Sequence, residues 1–279
     1  MQNDIGGSSN SHDDIAATAA GPAMYVVGID GSASSRGALS WALQRARSSG
    51  AALTLVAIVD AEWAAVSEEL FTQLHSTVSA RVESELNWAR LAEPTVTITA
   101  RVQIGAPMPR LADAAAGTQL LVVGTHKSGY IRGKALGARS VQLALRTTTP
   151  VAVVPRLGER SRSGVVVAGA GGGAGSAIAF AARESARRGE PLIVVCSSPP
   201  ADRDRVLEHA RRQALAVAPE VEIRTRWTEQ DPAELLIALS SSTLTTVIGK
   251  RSGTEARLGR IAIEVLMNLA GPVIIVPGA

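Results

Sequence analysis

A lone acid and a glycine-rich loop are the residues of this chain best suited to chemistry. Asp30 follows the strand-length run Tyr25–Ile29 and leads into Gly31 and Ser32. A carboxylate there accepts hydrogen bonds from hydroxyl or amine donors, or helps to hold a metal ion. Further along, the loop from Gly124 to Gly137 carries Gly124, Gly129, Gly133 and Gly137. Thr125, His126, Lys127, Arg132 and Lys134 lie among them, with Arg139 just beyond. Glycine lets backbone N–H groups approach anionic oxygens without a Cβ clash. A helix opening near Ala138 would aim its free N–H groups at the same place. Two of the three lysines in the chain, Lys127 and Lys134, fall in this loop. The pattern reads as an anion-binding loop facing a single carboxylate.

The elements that must position these groups alternate. Strand-length apolar runs are predicted at Tyr25–Ile29, Leu53–Val59, Val96–Val102, Leu120–Val123 and Val151–Val154. Helices are predicted near Arg36–Ser48, Ala65–Arg90, Pro107–Ala116 and Ala138–Arg146. Short Val-, Ile- and Leu-rich runs between helices imply parallel strands buried on both faces of an open, doubly wound sheet. In such a sheet ligands sit beyond the carboxyl ends of the strands where the order reverses. Asp30 and Gly124 both stand at such ends, after the first and fourth strands.

The order then repeats. Strands are predicted at Val165–Ala168, Leu192–Cys196, Val221–Trp227, Thr246–Ile248 and Val273–Val276. Helices are predicted near Ser176–Arg188, Arg203–Val217, Pro232–Leu239 and Arg260–Leu269. Both halves have a strand ending in glycine, Gly124 and Gly249, and both close with a β-branched run between prolines, Pro150 to Pro155 and Pro272 to Pro277. A repeat of this length is a duplicated domain. The expected organisation is a flexible tail over 1–23, a first domain over 24–155, a linker over 156–164 and a second domain over 165–279.

Composition narrows the function classes. Of 279 residues, 46% are hydrophobic and 19% charged, which is a globular balance, and the net charge of +3 is spread through the helices. That reads as solvated helix faces rather than a nucleic-acid surface. Cys196 is the one cysteine, so no disulfide framework exists and a cytoplasmic location is expected. No apolar run is long enough for a membrane-spanning helix, and residues 1–23 lack a secretory pattern. The histidines, His12, His75, His126 and His209, have no metal-ligand spacing, no catalytic nucleophile motif is present, and no catalytic residue is assigned.

Val26-Val27-Gly28-Ile29-Asp30-Gly31-Ser32, Ala38-Leu39-Ser40-Trp41-Ala42, Gly105-Ala106-Pro107 and Leu121-Val122-Val123-Gly124-Thr125-His126 followed by Gly137 together resemble the universal stress protein family in its tandem form. The resemblance implies an α/β fold of two open parallel five-stranded sheets, strand order 3-2-1-4-5, of the adenine nucleotide alpha hydrolase-like type. It implies ATP binding in many members, and Mg is expected as the counter-ion of the nucleotide. The family's phosphate signature is G-x2-G-x9-G-[ST]. Here Gly124 and Gly137 keep its spacing, Lys127 replaces the second glycine, and Ala138 replaces the hydroxyl residue. Ser140 also matches a serine common in the family. Ile58, at the end of the second strand, would lie beside the adenine. The expected nucleotide contacts are thus Gly28, Ile29, Asp30, Gly31, Ser32, Ile58, Gly124, Thr125, His126, Lys127, Gly129, Gly137, Ala138, Arg139 and Ser140.

The second half lacks this site. No acid follows Ala168, and Gly249 and Gly259 enclose a shorter loop containing Glu255. Gly169-x-Gly171-x-x-Ala174 resembles a dinucleotide fingerprint, but the next strand ends at Cys196-Ser197 without the required acid. The main reading is an ATP-binding stress-response regulator with little or no hydrolysis. The alternatives are a nucleotide-independent scaffold and an ATP-hydrolysing or nucleotidyl-transferring enzyme. The family's last strands often pair, so Val151–Val154 and Val273–Val276 are expected to join the halves as a pseudo-dimer, or copies as a homo-oligomer.

Overall fold

The computed structural model describes residues 23–62, 67–125, 129–131, 134–136, 138–157, 161–169, 174–197, 199–251 and 258–278. Of the expected tail only Ala23 falls among them.

The first half runs β1 (Met24–Gly28), α1 (Ala33–Ser49), β2 (Ala52–Val59), α2 (Glu68–Ala92), β3 (Ile98–Ile104), α3 (Pro107–Ala115) and β4 (Leu120–Thr125). It continues through β5 (Gly129–Ile131), β6 (Lys134–Leu136), α4 (Ala138–Arg146) and β7 (Val151–Pro155). The second half runs β8 (Val165–Ala168), α5 (Ala174–Arg188), β9 (Leu192–Cys196), α6 (Arg203–Val217), β10 (Ile223–Trp227), α7 (Pro232–Ser240), β11 (Thr245–Lys250), α8 (Arg260–Met267) and β12 (Val273–Pro277).

Local chemistry fixes several boundaries. The Ser32 hydroxyl accepts from the Ser35 amide and caps α1. Asp231 accepts from Ala233 N–H at 2.9 Å, and Pro232 opens α7. Val96, predicted as the start of a strand, instead closes a turn by donating to Glu93 O, so β3 begins two residues later.

Ten strands form one sheet in the order β10-β9-β8-β11-β12-β7-β4-β1-β2-β3. Within each half the order is 3-2-1-4-5 and every pairing is parallel. The join between β7 and β12 is antiparallel, with Ala152 opposite Ile274. Strand alternation sends Tyr25, Val27 and Ile29 to one face and Val26 to the other. The first face is covered by α1, α2, α5 and α6, the second by α3, α4, α7 and α8. Each apolar layer draws residues from both halves.

Two expectations are corrected. The stretch after β4, predicted as an open loop, contains a small antiparallel hairpin in which Gly129 faces Leu136. Charges predicted to solvate helix faces are in places buried: Arg45, Glu85 and Glu184 lie inside the fold, as does Lys250 at the end of β11. Of the segment predicted as a linker, Ser163 and Gly164 are tied to the second half by Glu190, which accepts from both at 2.8 Å.

Candidate functional site

At the carboxyl end of β1 the chain turns sharply. Ile29 N–H donates to Val56 O at 2.9 Å and keeps the strand in register one residue further. The Asp30 carboxylate then folds back over its own turn, accepting from Ser32 N–H at 2.9 Å. Gly31 lies at φ 76°, a left-handed conformation that glycine reaches without strain. Ser32 and Ser35 lock the start of α1: Ser35 Oγ donates to Ser32 O at 3.0 Å, and Ser32 Oγ accepts from Ser35 N–H at 3.1 Å.

Beside this turn lies a recess of about 100 Å³. Its walls are Ile29, Ala57, Ile58, Val78 and Val82, and its rim is Asp30, Gly31 and Arg81. Arg81 stretches from α2 across Gly31 and donates to Asp30 O at 3.0 Å. A Cβ on Gly31 would strike that arginine stem, so the glycine admits the crossing as well as the turn. The result is an apolar slot with one carboxylate and one guanidinium at its mouth. Such a slot accepts a flat apolar ring, with hydrogen-bond donors directed to Asp30 and anionic groups to Arg81.

Of the expected contacts, Ile29, Asp30, Gly31 and Ile58 thus line one recess, with Ser32 adjacent. Gly28 is in the sheet, and a Cβ there would press on Val123 and Leu111. Gly124 pairs with Val154 in the sheet. A Cβ on Gly124 would run into the backbone of Ser34 and Ser35, because the first turn of α1 lies against it. Packing alone therefore accounts for this glycine. Thr125 is buried at the end of β4, Ser140 is buried on α4, and Arg139 is exposed. Gly129 is placed by its hairpin backbone only. His126, Lys127 and Gly137, and the side chain of Ala138, lie outside the described residues.

Sequence reasoning missed Ala57, Val78, Arg81 and Val82. A signal for α2 was present. Val78, Val82, Glu85 and Ala89 recur at helical spacing and face the sheet, and Arg81 stands at the edge of that stripe, where its length carries it to the strand end. Glu85 on the same stripe pairs with Arg36 at 2.6 Å, and the Arg36 guanidinium lies 4.4 Å from the Trp88 ring. Among the described residues no group of three or more His, Cys, Asp or Glu side chains is placed to hold a metal ion, and no helix is long and apolar enough to cross a membrane.

In the second half, the residue matching Thr125 at the end of the fourth strand is Lys250. It is 6% exposed and donates to Ala144 O, Leu145 O and Thr147 O at 3.0, 3.1 and 2.9 Å. Burial pushes its pKa below the usual lysine value. The second half therefore caps the last turn of α4 in the first half.

Comparison with known proteins agrees with this fold. The chain is 29% identical over 194 residues to universal stress proteins of Mycobacterium bovis and Mycobacterium tuberculosis. That match covers 61% of this chain and 61% of each relative. A solved universal stress protein of Archaeoglobus fulgidus has the same fold, with a TM-score of 0.76 at 14% identity over 92% of this chain and 98% of that one. Residues 25–155, which hold the recess and the turn at Asp30, match the model of the universal stress protein family.

Proposed function

We propose that the first half binds an adenine nucleotide and that occupancy regulates the molecule rather than feeding a reaction. The observation that carries this reading is the recess itself, with Ile29 and Ile58 as walls and Asp30 at the mouth. An adenine ring fits the apolar slot, and the ribose hydroxyls would donate to the Asp30 carboxylate. Arg81 supplies a cation at the rim. Phosphates would extend toward the stretch from His126 to Gly137, where Lys127 and Lys134 add charge. ATP, with Mg as its counter-ion, is the proposed form.

No described side chain near Asp30 is placed to activate a water, so little or no hydrolysis is proposed. The proposed setting is a cytoplasmic stress response, with the two halves acting as a pseudo-dimer within one chain. The proposed organisation is a first domain over 24–155, a linker over 156–164 and a second domain over 165–279 that braces the first.

Calorimetric titration with ATP at millimolar concentration tests this reading. Saturable heat that is lost in Asp30→Ala is expected, and its absence in the intact protein ends the proposal.

A nucleotide-independent scaffold is the second reading. One observation favours it: Gly124 is explained by the close approach of α1 and needs no ligand. ATP retained through purification would exclude it.

A further inference from the structure

Two pairs of positions mark an approximate twofold axis between the halves. In the sheet, Ala152 and Ile274 face one another, and each is the second residue of its strand. Over the sheet, α1 and α5 end beside left-handed glycines, Gly50 at φ 68° and Gly189 at φ 64°. Arg45 and Glu184 stand five residues before those glycines, so they occupy one position of the repeated domain.

The axis brings these two counterparts into contact. Arg45 is 2% exposed, Glu184 is 0% exposed, and they are ion-paired. Trp41 and Phe180, one helical turn earlier, also correspond. Their rings lie 5.7 and 5.8 Å from the Arg45 guanidinium, and the Tyr25 ring lies 5.5 Å away.

At such an axis a self-paired domain presents each residue to its own copy. Two amino-terminal halves joined this way would bury one Arg45 against another among aromatic rings. A buried like-charge contact without a counter-ion is strongly disfavoured. Two carboxyl-terminal halves would oppose two Glu184 carboxylates, but each carries Arg187 at 3.0 Å and Arg188 at 2.6 Å from its own helix. The bar against self-pairing therefore rests mainly on Arg45.

We propose that Arg45 and Glu184 are a sorting pair. They commit the amino-terminal half to a carboxyl-terminal half and forbid it a second amino-terminal half. The one copy of this chain that the surface accepts is a copy that exchanges halves reciprocally.

Three full-length variants test this: E184R, R45E and the swap R45E/E184R, each followed by urea unfolding and by chromatography with light scattering. E184R places a second guanidinium against Arg45 beside Arg187 and Arg188, and the folded-to-unfolded ratio is expected to fall roughly 100- to 1,000-fold. R45E loses less, because Arg187 and Arg188 flank the introduced carboxylate. The swap recovers at least about tenfold over E184R.

Co-refolding R45E with E184R chains is expected to yield a 1:1 two-chain species that neither forms alone, since reciprocal exchange opposes unlike charges at both axes. This measurement remains informative if E184R fails to refold by itself. A swap no more stable than E184R overturns the proposal. So does a co-refolded mixture that matches the sum of its parts, or an E184R chain with an unshifted unfolding midpoint.

Discussion

The Lys250 ammonium in the second half donates to the Thr147 carbonyl in the first at 2.9 Å. With Ala144 and Leu145, that makes three carbonyls at the end of α4 served by one cation from the other half. Lys250→Met leaves those carbonyls buried without their donor, and a loss of about 2–4 kcal/mol in unfolding free energy is expected. Urea denaturation of both proteins checks it. The pH dependence has a definite sign. Burial lowers the native pKa of Lys250, so between that value and the unfolded value of about 10.4 the unfolded chain binds more protons. The stability of the native protein relative to Lys250→Met should therefore rise with pH in that alkaline window.

Glu184 has the opposite signature. Burial alone would push its carboxyl up, but the Arg45, Arg188 and Arg187 guanidiniums together outweigh burial and hold it below the usual glutamate value. Its contribution is present above the unfolded value of about 4.3 and is lost as pH falls through the lower native value. Against Glu184→Gln, the stability advantage of the native protein should vanish only in that acid range. Thermal unfolding from about pH 3 to about pH 7 is the measurement.

Gly124→Ala should cost stability before it costs binding. The added methyl meets the Ser34 backbone rather than a movable side chain. An overpacking penalty of about 1–3 kcal/mol is expected with no nucleotide present. A Gly124→Ala protein with native stability but weakened ATP binding would show that the glycine serves the ligand instead.

Asp30→Asn and Asp30→Ala separate the turn bond of this side chain from its proposed ligand contact. Asparagine keeps a carbonyl oxygen that can accept from Ser32 N–H, whereas alanine does not. Both should weaken ATP by roughly tenfold or more, because the charged acceptor is gone. Only alanine should lower stability, by about 1 kcal/mol. Calorimetry for the ligand and urea denaturation for the fold distinguish them.

How much of this was legible beforehand depends on the range of the interaction concerned. The turn at Asp30-Gly31-Ser32 was readable because its bonds join neighbours in sequence. Strand positions followed from β-branched runs and helix-length spacers, and the order 3-2-1-4-5 was implied by the family resemblance. Gly124 was noticed for its place in the loop, whereas the packing reason for its glycine character is α1, which arrives from far away in the chain. Arg81 escaped notice because a helix-edge arginine looks solvated until α2 is laid on the sheet. Arg45, Glu184 and Lys250 escaped for the same cause, since a buried charge differs from an exposed one only by its partner. The hairpin of β5 and β6 was too short for strand periodicity to show.

The antiparallel seam of Ala152 and Ile274 also decides where the sheet stops. Two separate five-stranded sheets would present four unpaired margins, whereas this molecule presents two, along β3 and β10. Arg101 is exposed on the first margin, and Arg224 and Arg226 are exposed on the second. Cationic side chains there discourage a foreign strand from docking. Fusing the two sheets thus hides their most apolar strands at the centre of the array and leaves arginines to guard its ends.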